Sequence, residues 1–335
     1  MGITITFEFH VHISRSEKDS KQTSRQIIKQ HDRQTENTEE NDSTALDFIE
    51  RAEGVVKRLK ESMSKSTVDN YQTALRSLRR YLGNVTNRKL DNQAIKGFER
   101  WLRDRQLSLN SISCYMRSLR SLCSKMNDLR LSEAFDNVYT GRETTEKRAV
   151  SESDISKVKR VEIKRGSFMR LARDLFLFSF YARGMPFVDL AFLHQSQISD
   201  GVLTYHRHKT GQRVMVRLEP CMLDILSRYQ RDGQLYVFPL LQSEDPQKAY
   251  LEYLNRLNQY NRSLKAIAKK AGVTSRLTSY TTRHTWASVA YNSDVDLPII
   301  SKALGHTNTQ TTLTYIKEIN DSRLDVANRL LVSRI

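Results

Sequence analysis

SYTTRHTWASVAYNSDVDLPIISKALGHTNTQTTLTYIK, residues 279–317, is the stretch on which the reading of this chain turns. It gathers Arg283, His284, His306 and Tyr315 into fewer than forty residues, with two helical patterns between turn signals. Arg283 is a permanent cation suited to a phosphate or carboxylate. Gly305, just before His306, is the residue that commonly closes a helix. Tyr315 lies in a short polar–apolar helical pattern, and a tyrosine in an activating environment can act as a covalent nucleophile.

Composition narrows the partners. The 335 residues carry a formal net charge of +16 and a pI near 9.8. A field of that sign attracts polyanions, and nucleic acid is the usual one. The charge is also concentrated. Residues 51–130 hold 18 Lys and Arg against 7 Asp and Glu, so eleven of the sixteen net charges lie there. The three cysteines, Cys114, Cys123 and Cys221, form no CxxC pair and no Cys/His metal spacing, so no metal site and no structural disulfide is expected. No apolar run approaches the roughly 18 residues of a membrane span. The opening residues lack the basic and apolar regions of a signal peptide. A cytoplasmic, soluble protein is expected.

Along the chain, Thr4–Ile13 alternates like an edge strand, and residues 14–43 are too polar to fold alone and read as a flexible arm. Residues 44–132 read as a small all-helical domain. Ser66 and Thr67 offer a cap before a helix whose apolar face is Val68, Tyr71, Leu75, Leu78 and Leu82. A second helix runs from about Gln93 to Arg105, and a third follows Asn110. Arg76, Arg79, Arg80, Arg117, Arg120 and Lys125 stay off the apolar stripes and suit contact with a phosphate backbone, without sequence readout. Residues 135–150 are an irregular connection, and a mixed domain occupies 146–335. In it, Phe168–Tyr181 is a buried helix stopped by Arg183-Gly184-Met185-Pro186. Val202–Tyr205 and Val214–Leu218 form a hairpin with Lys209 near its turn. Ala249–Ala271 is a long basic helix, and Asn320–Leu331 a last amphipathic one. The fold class is therefore mainly α with a small β component.

These residues carry a likeness. An arginine after a buried helix, a hairpin lysine, an Arg-His pair, a Leu-Gly-His turn and a tyrosine nine residues on resemble the tyrosine recombinase (phage integrase) family. The RGM…DLA and SYxxRHxWA forms look most like integrases and invertases of Bacteroides-type mobile elements. The resemblance implies a helical core-binding domain and a mixed catalytic domain that clamp duplex DNA. It implies two phosphoryl transfers through a 3′-phosphotyrosine, with no cofactor or metal, and a homotetramer on paired specific sites. An accessory DNA-bending protein is compatible with it. By the same likeness Tyr315 is the nucleophile, Arg283 and His306 hold the phosphate oxygens, and Lys209 is the acid on the leaving oxygen. His284 is read as structural.

Two positions depart from the family pattern. Tyr280 stands where the family has a histidine, three residues before Arg283. Its hydroxyl can donate one hydrogen bond but takes no proton near neutral pH. The first arginine usually precedes an acidic residue by three; counting back from Asp189 lands on Pro186, while Arg183 lies six before it. Arg183 is placed slightly ahead of Arg207, from the hairpin, as the substitute. Competing functions are a type IB topoisomerase-like enzyme and a DNA-binding module with impaired catalysis. The target sequence, and the choice among integration, excision and inversion, lie beyond the sequence.

Overall fold

The computed structural model describes residues 45–83, 90–127, 132–143, 148–229, 233–316, 328–329 and 332–333. The expected strand Thr4–Ile13, the arm 14–43 and nearly all of the expected helix Asn320–Leu331 lie outside them. The chain divides into two compact units, one up to Thr144 and one from Thr145.

The first unit is built from four helices: α1 (Ala45–Leu59), α2 (Lys65–Leu82), α3 (Asn92–Asp104) and α4 (Leu109–Lys125). Helix α1 had no specific signal assigned to it in the sequence; Phe48, Ile49, Ala52, Val55 and Val56 make its buried face. Helix α2 begins one turn-position earlier than expected. Its cap is Ser64, whose side chain accepts from the Thr67 backbone N–H, rather than Ser66. Asp91 and Ser108 cap α3 and α4 in the same way. The faces meet in one core around Leu75, Leu78, Ile95, Phe98, Met116 and Leu119. Burying each such side chain contributes roughly 1.5–3 kcal/mol.

The second unit places α5 (Glu152–Arg160), α6 (Phe168–Tyr181), α7 (Phe187–Ala191), a small sheet and α8 (Pro220–Tyr229) around a second core. The sheet is antiparallel in the order β1 (Ile198–Ser199), β2 (Val202–His206), β3 (Arg213–Arg217). Leu203 pairs with Val216 and Tyr205 with Val214, and all four face inward, as the two-residue period of a strand requires. Helix α9 (Pro246–Ala271) starts on an Asp245 cap with proline in its first turn and ends on left-handed Gly272. Then come α10 (Thr281–Asn292), α11 (Leu297–Leu304) and the five-residue α12 (Thr309–Leu313). Tyr315 falls just past α12 rather than within a helix.

Asp174 on α6 is a buried charge with three partners. It accepts from Arg173 at 2.9 Å, Arg228 at 3.0 Å and the Tyr229 hydroxyl at 2.9 Å. Those donors satisfy a carboxylate that would be costly unpaired. They tie the middle of α6 to α8. At its C-terminal end, the Ser179 hydroxyl donates to the Met185 carbonyl at 2.7 Å and lies 2.7 Å from the Thr282 hydroxyl on α10. This end positions the site.

Candidate active site

Three elements bring two arginines and a histidine to one place. Arg283 comes from the first turn of α10, Arg207 from the end of β2, and His306 follows the left-handed Gly305 that terminates α11. Arg283 is among the most buried side chains in the protein. Its Nη1 donates to the Gly184 carbonyl at 3.1 Å and its Nη2 to the Leu304 carbonyl at 2.5 Å. Arg207 is also buried, and its Nη1 donates to the Leu304 and Gly305 carbonyls at 3.0 and 3.1 Å. The two guanidiniums thus share the Leu304 carbonyl at the C-terminal end of α11, where unpaired carbonyls give the helix its negative pole.

Glycine is required beside each arginine. A Cβ on Gly184 (φ +71) would lie 2.6 Å from the Arg283 Cα, and one on Gly305 (φ +65) would lie 2.7 Å from the Arg207 Cδ. Both backbones are left-handed, which glycine adopts without steric cost. Asp189 supports Arg207 from behind. One carboxylate oxygen accepts from the His208 backbone N–H at 2.8 Å and the other is 3.9 Å from Arg207 Nε. Burial pushes the Asp189 carboxyl up, while the His208 bond and the Arg207 charge oppose the shift.

Tyr315 lies among these groups. Its ring centroid is 5.2 Å from that of His306 and 4.7 Å from that of His284, and the Arg283 guanidinium carbon lies 5.4 Å from it. Nη2 of Arg283 is 2.8 Å from His306 Nε2, and His306 Nδ1 is 2.9 Å from the Thr312 hydroxyl. Burial, and then the charges of Arg283, Arg207 and Lys209, push the His306 pKa down to about 4, so the ring is neutral at physiological pH. Burial and then the Arg207 charge lower Arg283 to about 10, which leaves it a cation.

The remaining expected residues fall into place differently. Lys209 is exposed in the β2–β3 turn, near enough for its charge to depress His306. Arg183 has left-handed backbone (φ +60) in the turn after α6. No hydrogen bond or ion pair is found for its side chain among the described residues, although its charge acts on the buried Tyr205 together with those of Arg283 and Arg207, whereas Arg207 bonds the carbonyl that Arg283 also reaches. The chain leaves α6 through Arg183 and presents the Gly184 carbonyl, not a guanidinium, to Arg283. Tyr280, half exposed at the N-cap of α10, makes no contact with Arg283, His306 or Tyr315 in the described residues. His284 was read as structural because neighbours on a helix point apart, but its ring lies against Tyr315, because the segment after α12 wraps across both positions. Thr312 had no sequence signal beyond its place three residues before the tyrosine. In the first unit, Arg117, Arg120 and Lys125 line a shallow cleft of about 550 Å³ with Ser121, Ser124 and Thr140. Arg76 and Arg80 are exposed on α2. Arg79 pairs with Glu53 at 3.0 Å and Arg120 with Asp136 at 3.3 Å, exposed bridges weak enough to exchange for phosphate. No cluster of three or more metal-ligating side chains occurs among the described residues.

The phage integrase family profile matches residues 170–321, and the phage integrase SAM-like domain profile matches residues 47–126. The chain belongs to the phage integrase family of tyrosine recombinases. This recombinase is 21% identical over 269 residues to tyrosine recombinase XerD of Oceanobacillus iheyensis, covering 77% of this chain and 89% of that protein. The Tn1549 transposon integrase, solved in complex with a circular intermediate DNA, shares the fold at a TM-score of 0.63 and 15% identity, over 84% of this chain and 99% of that one. A lambda integrase tetramer bound to a Holliday junction matches at 0.61 and 14%, over 92% and 89%. The recombinase has an α+β fold of two domains, as its sequence implied.

Proposed function

We infer that this recombinase cuts and rejoins duplex DNA at specific sites through a tyrosine-linked intermediate. The observation that carries the reading is the convergence of Arg283 and His306 on Tyr315, with Arg207 held beside Arg283 on the same carbonyl. Phosphoryl transfer concentrates negative charge on the non-bridging oxygens, and fixed donors in a water-poor pocket stabilise it most. Arg283 and Arg207 are held by backbone carbonyls before any substrate arrives, so little reorganisation is needed. Tyr315 attacks the phosphorus with loss of its proton, forming a 3′-phosphotyrosine. The leaving 5′-oxygen takes a proton from Lys209, which the exposed β2–β3 turn carries. A 5′-hydroxyl of the partner strand then attacks that phosphotyrosine and frees the tyrosine. We assign the first-arginine role to Arg207 and give Arg183 and Tyr280 no contact with the reacting phosphate.

In the same reading, residues 44–132 are the core-binding domain and 146–335 the catalytic domain. The basic residues Arg76, Arg79, Arg80, Arg117, Arg120 and Lys125 contact the backbone of the site. The working assembly is a homotetramer on paired sites; lambda integrase has been captured as a tetramer bound to a Holliday junction. The RGM…DLA and SYxxRHxWA forms favour service to a mobile element or an inverting segment in the cytoplasm. No helix among the described residues is long and apolar enough to cross a membrane.

The test is covalent trapping. A library of nicked duplexes, randomised in sequence, is incubated with the protein, and adducts resistant to detergent are isolated and sequenced. The reading expects an adduct on a limited set of sequences, lost in Tyr315→Phe. Adducts spread over all sequences would favour topoisomerase-like relaxation, and binding with no adduct would favour a non-catalytic module.

A further inference from the structure

Arg283 and His306 touch in a way that fixes a proton. A guanidinium only donates, so at 2.8 Å from Arg283 Nη2 the His306 Nε2 must be the acceptor. A neutral imidazole with a lone pair on Nε2 carries its proton on Nδ1. That proton points at the Thr312 hydroxyl, 2.9 Å away, and Thr312 is fully buried. Two consequences follow. Nε2 in this state has no proton to give a phosphate, although it occupies the Arg283 donor that a phosphate needs. Thr312 is also bonded along the chain to the nucleophile, since its carbonyl accepts from the Tyr315 N–H at 2.9 Å.

We propose that Thr312 is a positioning residue whose hydroxyl lets His306 exchange tautomers when phosphate binds. In the free protein it accepts from Nδ1–H while Nε2 accepts from Arg283. When a phosphate oxygen takes over Arg283 Nη2, the imidazole proton moves to Nε2 and donates to the phosphate, and the hydroxyl rotates to donate to Nδ1. The proton count on the ring is unchanged; only its site exchanges, through solvent. A hydroxyl serves both states because it donates and accepts; a methyl group of the same size serves neither. The resting contact therefore keeps the donor at the active site withheld until phosphate arrives. This inference rests on the phosphate-holding roles proposed above for Arg283 and His306.

The experiment reads the ring nitrogens of His306 by NMR on protein labelled with ¹⁵N-histidine, the signals assigned by comparison with His306→Gln. The free wild type and Thr312→Ser are expected to show protonated Nδ1 and bare Nε2. Saturating inorganic phosphate is expected to exchange the pattern in both. Thr312→Val is expected to keep the Nδ1–H form in the free protein, where Arg283 still donates to Nε2, but to resist the exchange on adding phosphate, and to cleave nicked DNA about 10- to 100-fold more slowly, as loss of one buried hydrogen bond to a working group does. Thr312→Ser should cleave within about threefold of wild type. A protonated Nε2 in the free wild type overturns the proposal, as does a phosphate titration that leaves the wild-type pattern unchanged, or a Thr312→Val response to phosphate identical to that of wild type. If Thr312→Val does not fold, the wild-type tautomer alone still decides. Absence of any Tyr315-dependent adduct in the wild type would instead sink the recombinase reading, whichever nitrogen carries the proton.

Discussion

Replacing Arg207 should disable cleavage, and replacing Arg183 should not. Arg207 is buried, gives two hydrogen bonds to the carbonyls that close α11, and stands beside the guanidinium of Arg283. Arg183 is half-buried and without a bonding partner among the described residues. Removing one preorganised donor to a developing oxyanion costs about 10²–10³ in rate, or about 2.7–4 kcal/mol. Arg207→Gln should therefore slow adduct formation on a nicked site by that factor, with DNA affinity changed far less. Arg207→Lys keeps the charge but cannot hold both carbonyls and reach a phosphate with one ammonium, so it should fall between. Arg183→Gln should stay within about threefold of wild type. Single-turnover appearance of the protein–DNA adduct on a denaturing gel is the assay, with thermal unfolding confirming that each variant is folded. An Arg183→Gln enzyme slowed a hundredfold beside a normal Arg207→Gln enzyme would refute the assignment and return the first-arginine role to the turn after α6.

Two further outcomes follow from the geometry of the site. Gly184→Ala should destabilise the protein by about 2–5 kcal/mol, from a strained left-handed backbone and a Cβ driven into the Arg283 backbone, which has no rotamer with which to yield. Gly211→Ala, with a similar φ of +67 and open space around it, should cost only about 1–2 kcal/mol; denaturant midpoints compare the two, and equal losses would contradict the close-contact reading. The depressed pKa of His306 gives a signed pH effect. Between about 6.5 and about 4 the unfolded chain binds this proton and the folded chain does not, so stability falls as pH drops through that window and its full value is present above it. The ring is partly exposed, so the loss is discounted to on the order of 1–2 kcal/mol. Wild type should lose that much more than His306→Gln between pH 7.5 and pH 4.5, measured by chemical denaturation, and parallel losses would show that the histidine is not depressed.

What the sequence revealed depended on the range of the interaction that fixes each residue. Helix α6 and the inward faces of β2 and β3 follow from local periodicity, and Gly305 and Gly272 from the need for a left-handed stop. The tyrosine, Arg283 and His306 were legible because one short stretch carries all three. Sequence position favours Arg183, the arginine nearer the expected motif. The contacts on which the proposal for Arg207 rests join the β2–β3 turn to the end of α11, 97 and 98 residues apart in the chain, and no local pattern encodes them. His284 was set aside by helix geometry, which says where a side chain starts but not what the following loop lays over it. Thr312 was invisible for the same reason: its role exists only because α12 folds back onto the residue that follows Gly305. The cap at Ser64 was missed because a Ser-Thr pair two residues later offered a competing signal.

The central claim is that the phenolic oxygen of Tyr315 becomes covalently joined to a DNA phosphate held by Arg283 and Arg207. Protease digestion of the trapped adduct, followed by mass spectrometry of the nucleotide-linked peptide, measures this directly. The account predicts a single linkage, a 3′-phosphodiester on Tyr315, with a free 5′-hydroxyl on the released strand. A linkage on any other residue, or a 5′-phosphate at the released end, would contradict it.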